Sequence, residues 1–242
     1  FFLSNLVQNL YLGIAIAVLV AGGLAMLIEL LGYRPLLQKK ARRIYLLITG
    51  LGISTMCENL IIICFSSRFR VYPINFSNES INILGASVGQ IDLIIFVVSM
   101  IALIAVELFI RKSRAGLAIR GASFDLEATS LMGVNVQKLI LIVFMIAGSL
   151  AGLAGALLGA KYTAFPTLGT AMTNKAFISS VFGGLGSIPG AVLGAILLGV
   201  GETMIASYVS SSMRDIFAYL LLVIVLFVRP SGLMGKEAED KA

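Results

Sequence analysis

The sequence predicts an all-α fold: a polytopic transmembrane helix bundle with one short or broken helix and a cytoplasmic helix set between two spans. Three observations predict it. Of the 242 residues, 59% are hydrophobic and only 12% are charged, against roughly 25% charged in soluble globular chains. The apolar residues gather in runs long enough to cross a bilayer as helix, which takes about 20 residues. The Lys and Arg residues gather in the short connections between those runs. A water-soluble fold could not hide this much apolar side chain behind so little polar surface. In lipid no such shell is needed, because a helix satisfies its own backbone.

The apolar runs cover 10–31, 44–65, 91–110, 139–160, 191–208 and 216–228. None alternates with a period of two, as the strands of a membrane barrel must. After the first run come Arg34, Lys39, Lys40, Arg42 and Arg43; after the third, Arg111, Lys112, Arg114, Arg120 and Lys138; after the last, Arg229, Lys236 and Lys241. By the positive-inside rule, loops 32–43 and 111–138 and the C-terminus face the cytoplasm. The 66–90 loop, with Arg68, Arg70, Asn75, Ser77, Asn78 and Asn82, then faces outward. The stretches 161–172 and 209–214 also fall outside, so an even number of crossings must join them. Only 191–208 is full length. The other crossing is expected at 173–185, a short or broken helix running into Gly183-Gly184-Leu185-Gly186-Ser187-Ile188-Pro189-Gly190. Irregular backbone at that depth is tolerated only inside protein or along a water-filled path. The expected organisation is one membrane-spanning domain over 1–242. Because the chain opens Phe1-Phe2 rather than Met, its N-terminal part is expected to be missing.

Several function classes are disfavoured. The net charge of +6 is accounted for by the positive-inside loops, so no nucleic-acid partner is expected. There is no His, which removes imidazole metal sites and His acid–base chemistry. Cys57 and Cys64 lie within an apolar run and read as small buried hydrophobes. There is no Gly-x-x-x-x-Gly-Lys-Ser/Thr phosphate loop. No catalytic residue, metal or cofactor is expected in this chain.

Packing signals suit a tight bundle. Gly148, Gly152 and Ala156 recur every four residues, as do Gly155 and Gly159. Gly186, Gly190 and Gly194 do the same, with Ala191, Ala195 and Gly199 beside them. Small residues at this spacing let backbones approach closely within lipid. Ionisable residues inside apolar runs are functional candidates by default. Glu58, beside Asn59, is the most deeply placed, followed by Glu202; Glu29 and Glu107 sit near helix ends where a solvated role is expected, and Asp92 near an outer end. Structural use is the expected role of each.

The 111–138 connection carries a helix of its own. Phe124, Ala128, Leu131 and Met132 fall on one helical face. Ser123 suits its N-cap, Asp125 and Glu127 favour its positive end, and Gly133 suits its stop. Asn135 suits the cap of the next span. Such a helix either lies in the lipid interface or docks in a groove on a soluble partner. The residues alone leave both open.

A resemblance decides between them. The run Ser113-Arg114-Ala115-Gly116-Leu117-Ala118-Ile119-Arg120-Gly121-Ala122, followed by Asp125, Ala128 and Leu131-Met132-Gly133-Val134-Asn135, resembles the cytoplasmic loop of branched-chain amino acid ABC transporter permeases. Glu29 with Tyr33-Arg34-Pro35 resembles that family's first basic loop. Lys175-Ala176-Phe177 and the Gly183–Gly190 run resemble its glycine-rich signature, and Arg229-Pro230-Ser231-Gly232-Leu233-Met234-Gly235 its C-terminal end. The form Ser187-Ile188-Pro189-Gly190 is more like the shorter of the two permeases such systems pair. Gly121 departs from the family's usual Ala, and the resemblance implies that the family's N-terminal helices, with the small-polar motif they carry, are missing here.

The resemblance implies a permease subunit of a binding-protein-dependent importer in a bacterial or archaeal cytoplasmic membrane, moving branched-chain or other hydrophobic amino acids. It implies a second permease as heterodimer partner, two cytoplasmic ATPases holding the ATP and Mg²⁺, and a secreted substrate-binding protein, all around a lipid-embedded chain. Coupling to the ATPase would fall to Arg120, Asp125, Ala128, Leu131 and Gly133. For the translocation pathway the candidates are Lys175, Phe177, Ser179, Gly183, Gly184, Gly186, Pro189 and Glu58, although Lys175 can instead snorkel to the outer interface. Permeases for sugars, urea or amides, and an ion-coupled secondary transporter, remain alternatives.

Overall fold

The computed structural model describes residues 10–39, 41–69, 80–83, 86–184, 186–229 and 231–235. Lys40, Arg70, Asn75, Ser77, Asn78, Leu185, Pro230, Lys236 and Lys241 therefore lie outside the described residues. The chain forms two compact units, 1–166 and 167–242.

The first unit opens with α1 (Leu10–Ile28), which passes through a π-helical turn at Glu29–Tyr33 into α2 (Arg34–Gln38). Helix thus continues well past 31, and Tyr33-Arg34-Pro35, expected in a loop, is helical. The π turn explains how. The Arg34 amide donates to the Glu29 carbonyl, an i→i−5 bond, and Pro35, which has no amide to give, sits in the first turn of α2 where none is needed. Then come α3 (Arg43–Phe65), a hairpin of β1 (Ser80–Ile83) and β2 (Ala86–Gly89), and α4 (Gln90–Lys112). The hairpin corrects the expected 66–90 loop; it pairs Ser80 with Gly89 and Ile83 with Ala86. Four residues a side are too few for a strand period to show in the sequence.

Beyond α4 lie α5 (Arg114–Phe124), α6 (Leu126–Leu131) and α7 (Val136–Lys161). The tightest packing in this unit joins α1 to α7. A Cβ on Gly148 would meet Ala25 Cβ and, at 2.8 Å, the Ala21 carbonyl; one on Gly152 would lie 2.5 Å from Ala21 Cβ and 2.9 Å from the Ala17 carbonyl. Two of the predicted small residues therefore make the groove. Gly155 does not: a Cβ there would have nothing within 4 Å. At the far end of α7, Lys161 Nζ pairs with Asp92 Oδ1 of α4 at 2.6 Å.

The second unit contains α8 (Leu168–Gly183), α9 (Ile188–Tyr208) and α10 (Met213–Val228). The expected 173–185 crossing is a 16-residue helix that starts five residues earlier. At 1.5 Å per residue it is about 24 Å long, short of the roughly 30 Å hydrocarbon core. Ile178, Leu198 and Ala218 make the buried core of the three helices. The glycine-rich break is where α8 and α9 cross backbone to backbone. A Cβ on Gly183 would collide with the Gly190 carbonyl, and one on Gly194 with the Ser179 carbonyl.

The last turn of α8 has carbonyls without helical partners, and the chain's own C-terminal segment supplies donors. Leu233 N–H donates to Phe182 O at 3.0 Å and Met234 N–H to Gly183 O at 2.9 Å. Five described helical stretches are long and apolar enough to cross a membrane: Leu12–Gln38, Ile44–Phe65, Gln90–Lys112, Val136–Lys161 and Ile188–Tyr208. The 16-residue α8 and α10 are shorter.

Candidate functional site

The 113–135 connection holds two helices rather than one. Ser113 caps α5, its Oγ accepting from Gly116 N–H at 2.8 Å. The cap of α6 is Asp125 rather than Ser123: Asp125 Oδ1 accepts from Glu127 N–H at 2.8 Å and Ala128 N–H at 3.1 Å. Ser123 is still inside α5, where its hydroxyl donates to the Arg120 carbonyl. A carboxylate at the N-cap also opposes the positive helix end, which a hydroxyl does not. Gly133 stops α6 with a φ of +82°, a left-handed conformation that costs any other residue type strain. Asn135 Oδ1 accepts from Lys138 N–H at 3.1 Å, capping α7 as expected.

These caps fix which face of α6 is outward. Thr129 is buried, and its hydroxyl donates to the Asp125 carbonyl at 2.7 Å. On the other side Phe124, Leu131 and Met132 are 84%, 89% and 86% exposed. Ala128 is exposed beside them. Arg120 is exposed as well, its guanidinium reaching back to the Arg111 carbonyl at 3.5 Å. Thr129 is the buried residue of α6, and its apolar Leu126 and Leu131 are exposed alongside Glu127 and Ser130, unlike those of a helix that packs an apolar face on its own domain.

The pathway candidates divide between the units. Glu58 is half-buried along α3, in the first unit. The others lie in the second. Lys175 on α8 reaches Glu202 Oε2 of α9 at 2.8 Å and Asp215 Oδ1 of α10 at 3.4 Å. One ammonium thus ties three helices together. Ser179 is buried and its hydroxyl donates to the Ala176 carbonyl, whereas Phe177 is 59% exposed. Around the break, Gly184 N–H donates to Ser180 O, Ser187 N–H to Gly184 O, and Gly190 N–H to the Ser187 hydroxyl. Pro189 sits in the first turn of α9, and nothing lies within 4 Å of where a Gly186 side chain would begin.

Glu202, with its side chain 13% exposed, depends on Lys175 far more than Asp215, at 72%, does. Breaking a buried pair costs about 3–5 kcal/mol, a surface pair at most about 1. Lys175→Met should therefore lower the thermal midpoint of the solubilised protein strongly, and Asp215→Asn hardly at all. Equal effects of the two would show that Glu202 is not the partner that matters.

The sequence also missed the pair that Glu29 makes with Arg34. Glu29, expected to be solvated, is 1% exposed, the largest fully buried side chain among the described residues. Its Oε1 lies 3.5 Å from Arg34 Nε, and its Oε2 has no hydrogen-bond partner among the described residues.

The family model of the branched-chain amino acid transport system / permease component matches residues 1–226. The chain belongs to that permease family. Similar members include the high-affinity branched-chain amino acid transport system permease proteins LivH of Salmonella typhimurium and BraD of Pseudomonas aeruginosa. Each is 34% identical; LivH aligns over 93% of this chain and 74% of its own, BraD over 94% and 75%. The probable branched-chain amino acid transport permease protein LivH of Methanocaldococcus jannaschii is 27% identical over 89% of this chain and 72% of its own. No solved structure matches. This permease is accordingly a multi-pass membrane protein and a transport subunit of an ABC-type system rather than an enzyme of a known class.

Proposed function

We propose that this permease lines the translocation path of an ATP-driven importer for branched-chain or other hydrophobic amino acids, and that α6 is where it receives the ATPase's push. The observation that carries the reading is the knob of Phe124, Leu131 and Met132, held outward by the Asp125 cap and the Gly133 stop. Three large apolar side chains on and beside a six-residue helix suit a groove on a soluble partner. A second permease completes the path, two ATPases with their ATP and Mg²⁺ sit below it, and a binding protein delivers substrate from outside. The names of the relatives support the substrate class.

The reading puts 39–42, 113–135 and the C-terminus in the cytoplasm, following the distribution of Lys and Arg. Accessibility tests it. In a Cys57→Ala, Cys64→Ala background, Ser130→Cys should react with a membrane-impermeant maleimide only in inverted vesicles. Reaction in intact cells, and not in inverted vesicles, would reverse the orientation and remove the ATPase from this face.

A further inference from the structure

The Lys175 cluster borders a cavity of about 460 Å³, within the roughly 300–1,000 Å³ of small-molecule sites. Its wall combines Asn174, Lys175, Arg214 and Asp215 with the apolar surface of Met172 and Tyr219. The charges are matched but not all consumed. Lys175 is held between Glu202 and Asp215, whereas Arg214 Nε is buried with no hydrogen-bond partner among the described residues. A buried guanidinium N–H left unpaired is costly, and a carboxylate is the group its fork fits best. Asp215 is 72% exposed and shares its charge with an ammonium at 3.4 Å, so a second ammonium can approach it. Glu202, which does not line the cavity, neutralises Lys175 and leaves Arg214 and Asp215 as one charge of each sign on the wall. Such a site favours a ligand that is itself neutral overall and carries both signs.

We propose that this cavity is a subsite for the ammonium–carboxylate head of a free apolar amino acid, with Arg214 receiving the carboxylate, Asp215 the ammonium, and Met172 and Tyr219 flanking the aliphatic side chain. The proposal rests on the importer reading, under which the 209–214 connection faces outward and the subsite would meet substrate as it is released. The subsite is weak and transient: a transporter must let its cargo leave.

Radiolabelled leucine is the probe, added without the binding protein to the complete importer in nanodiscs. Saturable binding is expected, with leucinamide, which lacks the carboxylate, competing at least tenfold more weakly than leucine. Arg214→Gln should weaken leucine binding at least tenfold and Arg214→Lys by less, while ATP hydrolysis by the same preparations reports intact assembly. The leucinamide comparison needs no variant, so a folding defect cannot mask the result. No binding to the parent importer, equal competition by leucinamide, or undiminished binding to an assembled Arg214→Gln protein overturns the subsite. Leucine uptake into proteoliposomes separates the two readings: uptake that persists leaves the importer standing when the subsite fails, and the absence of any amino acid uptake removes both.

Discussion

Leu131→Asp with Met132→Asp should abolish co-purification of the ATPase and substrate-driven ATP hydrolysis, while the permease still inserts and folds. The asymmetry follows from exposure. Both side chains are almost wholly exposed in this chain, so neither substitution removes an internal contact, and the Asp125 cap and Thr129 anchor stay in place. What is lost is burial against the partner, about 1.5–3 kcal/mol for each large apolar side chain. A loss of about 3 kcal/mol is roughly a hundredfold in affinity. Gly133→Val tests the same element from its other end. Nothing lies within 4 Å of the added atom, but the φ of +82° opposes it, so the stop shifts and the knob is re-aimed. Pull-down from detergent and ATPase assays in proteoliposomes read both. Normal co-purification of the double aspartate variant would instead place α6 in the lipid interface.

How much of this was legible depends on what enforces each feature. Bilayer thickness enforces the spans, so 44–65 and 91–110 fall within a residue or two of α3 and α4. Packing without a hydrophobic drive enforces small residues, so Gly148 and Gly152 announced the α1–α7 contact. The helix α6 showed its apolar face, but α5 before it did not, because Gly116 and Gly121 give it poor helix propensity. Ser113 is the signal that was available there. Gly116 is nevertheless required, since a Cβ would collide with the Ile110 backbone where α5 turns off α4.

Other features depend on distance in sequence. Lys175 meets partners 27 and 40 residues away, and the docking of Leu233 and Met234 onto Phe182 and Gly183 spans about 50; no local pattern encodes either. The apolar residues on and beside α6 were readable as a face, whereas the polar ties of the second unit became visible only in three dimensions.

Glu29 is the instructive failure, and it yields the other large effect. Charge pairs on a regular helix are read at i, i+3 and i, i+4, and Arg34 is at i+5. The π turn, with its i→i−5 bond, is what brings the two to one face. Glu29→Ala should lower the stability of the solubilised protein by about 3 kcal/mol, the lower end for breaking a buried pair, because Arg34 keeps 29% of its side chain exposed and can recover some water. Arg34→Ala should cost at least as much, since it strands a carboxylate that is only 1% exposed. Glu29→Gln keeps the volume and removes the charge, so it should cost least of the three. Removing both partners, as Glu29→Leu with Arg34→Met, should cost less than the two single losses combined, because neither charge is then left alone in a dry site. Thermal midpoints of the four variants in one detergent decide it. Strictly additive losses would mean that the two side chains act independently, and that the π turn is held by backbone and Pro35 alone.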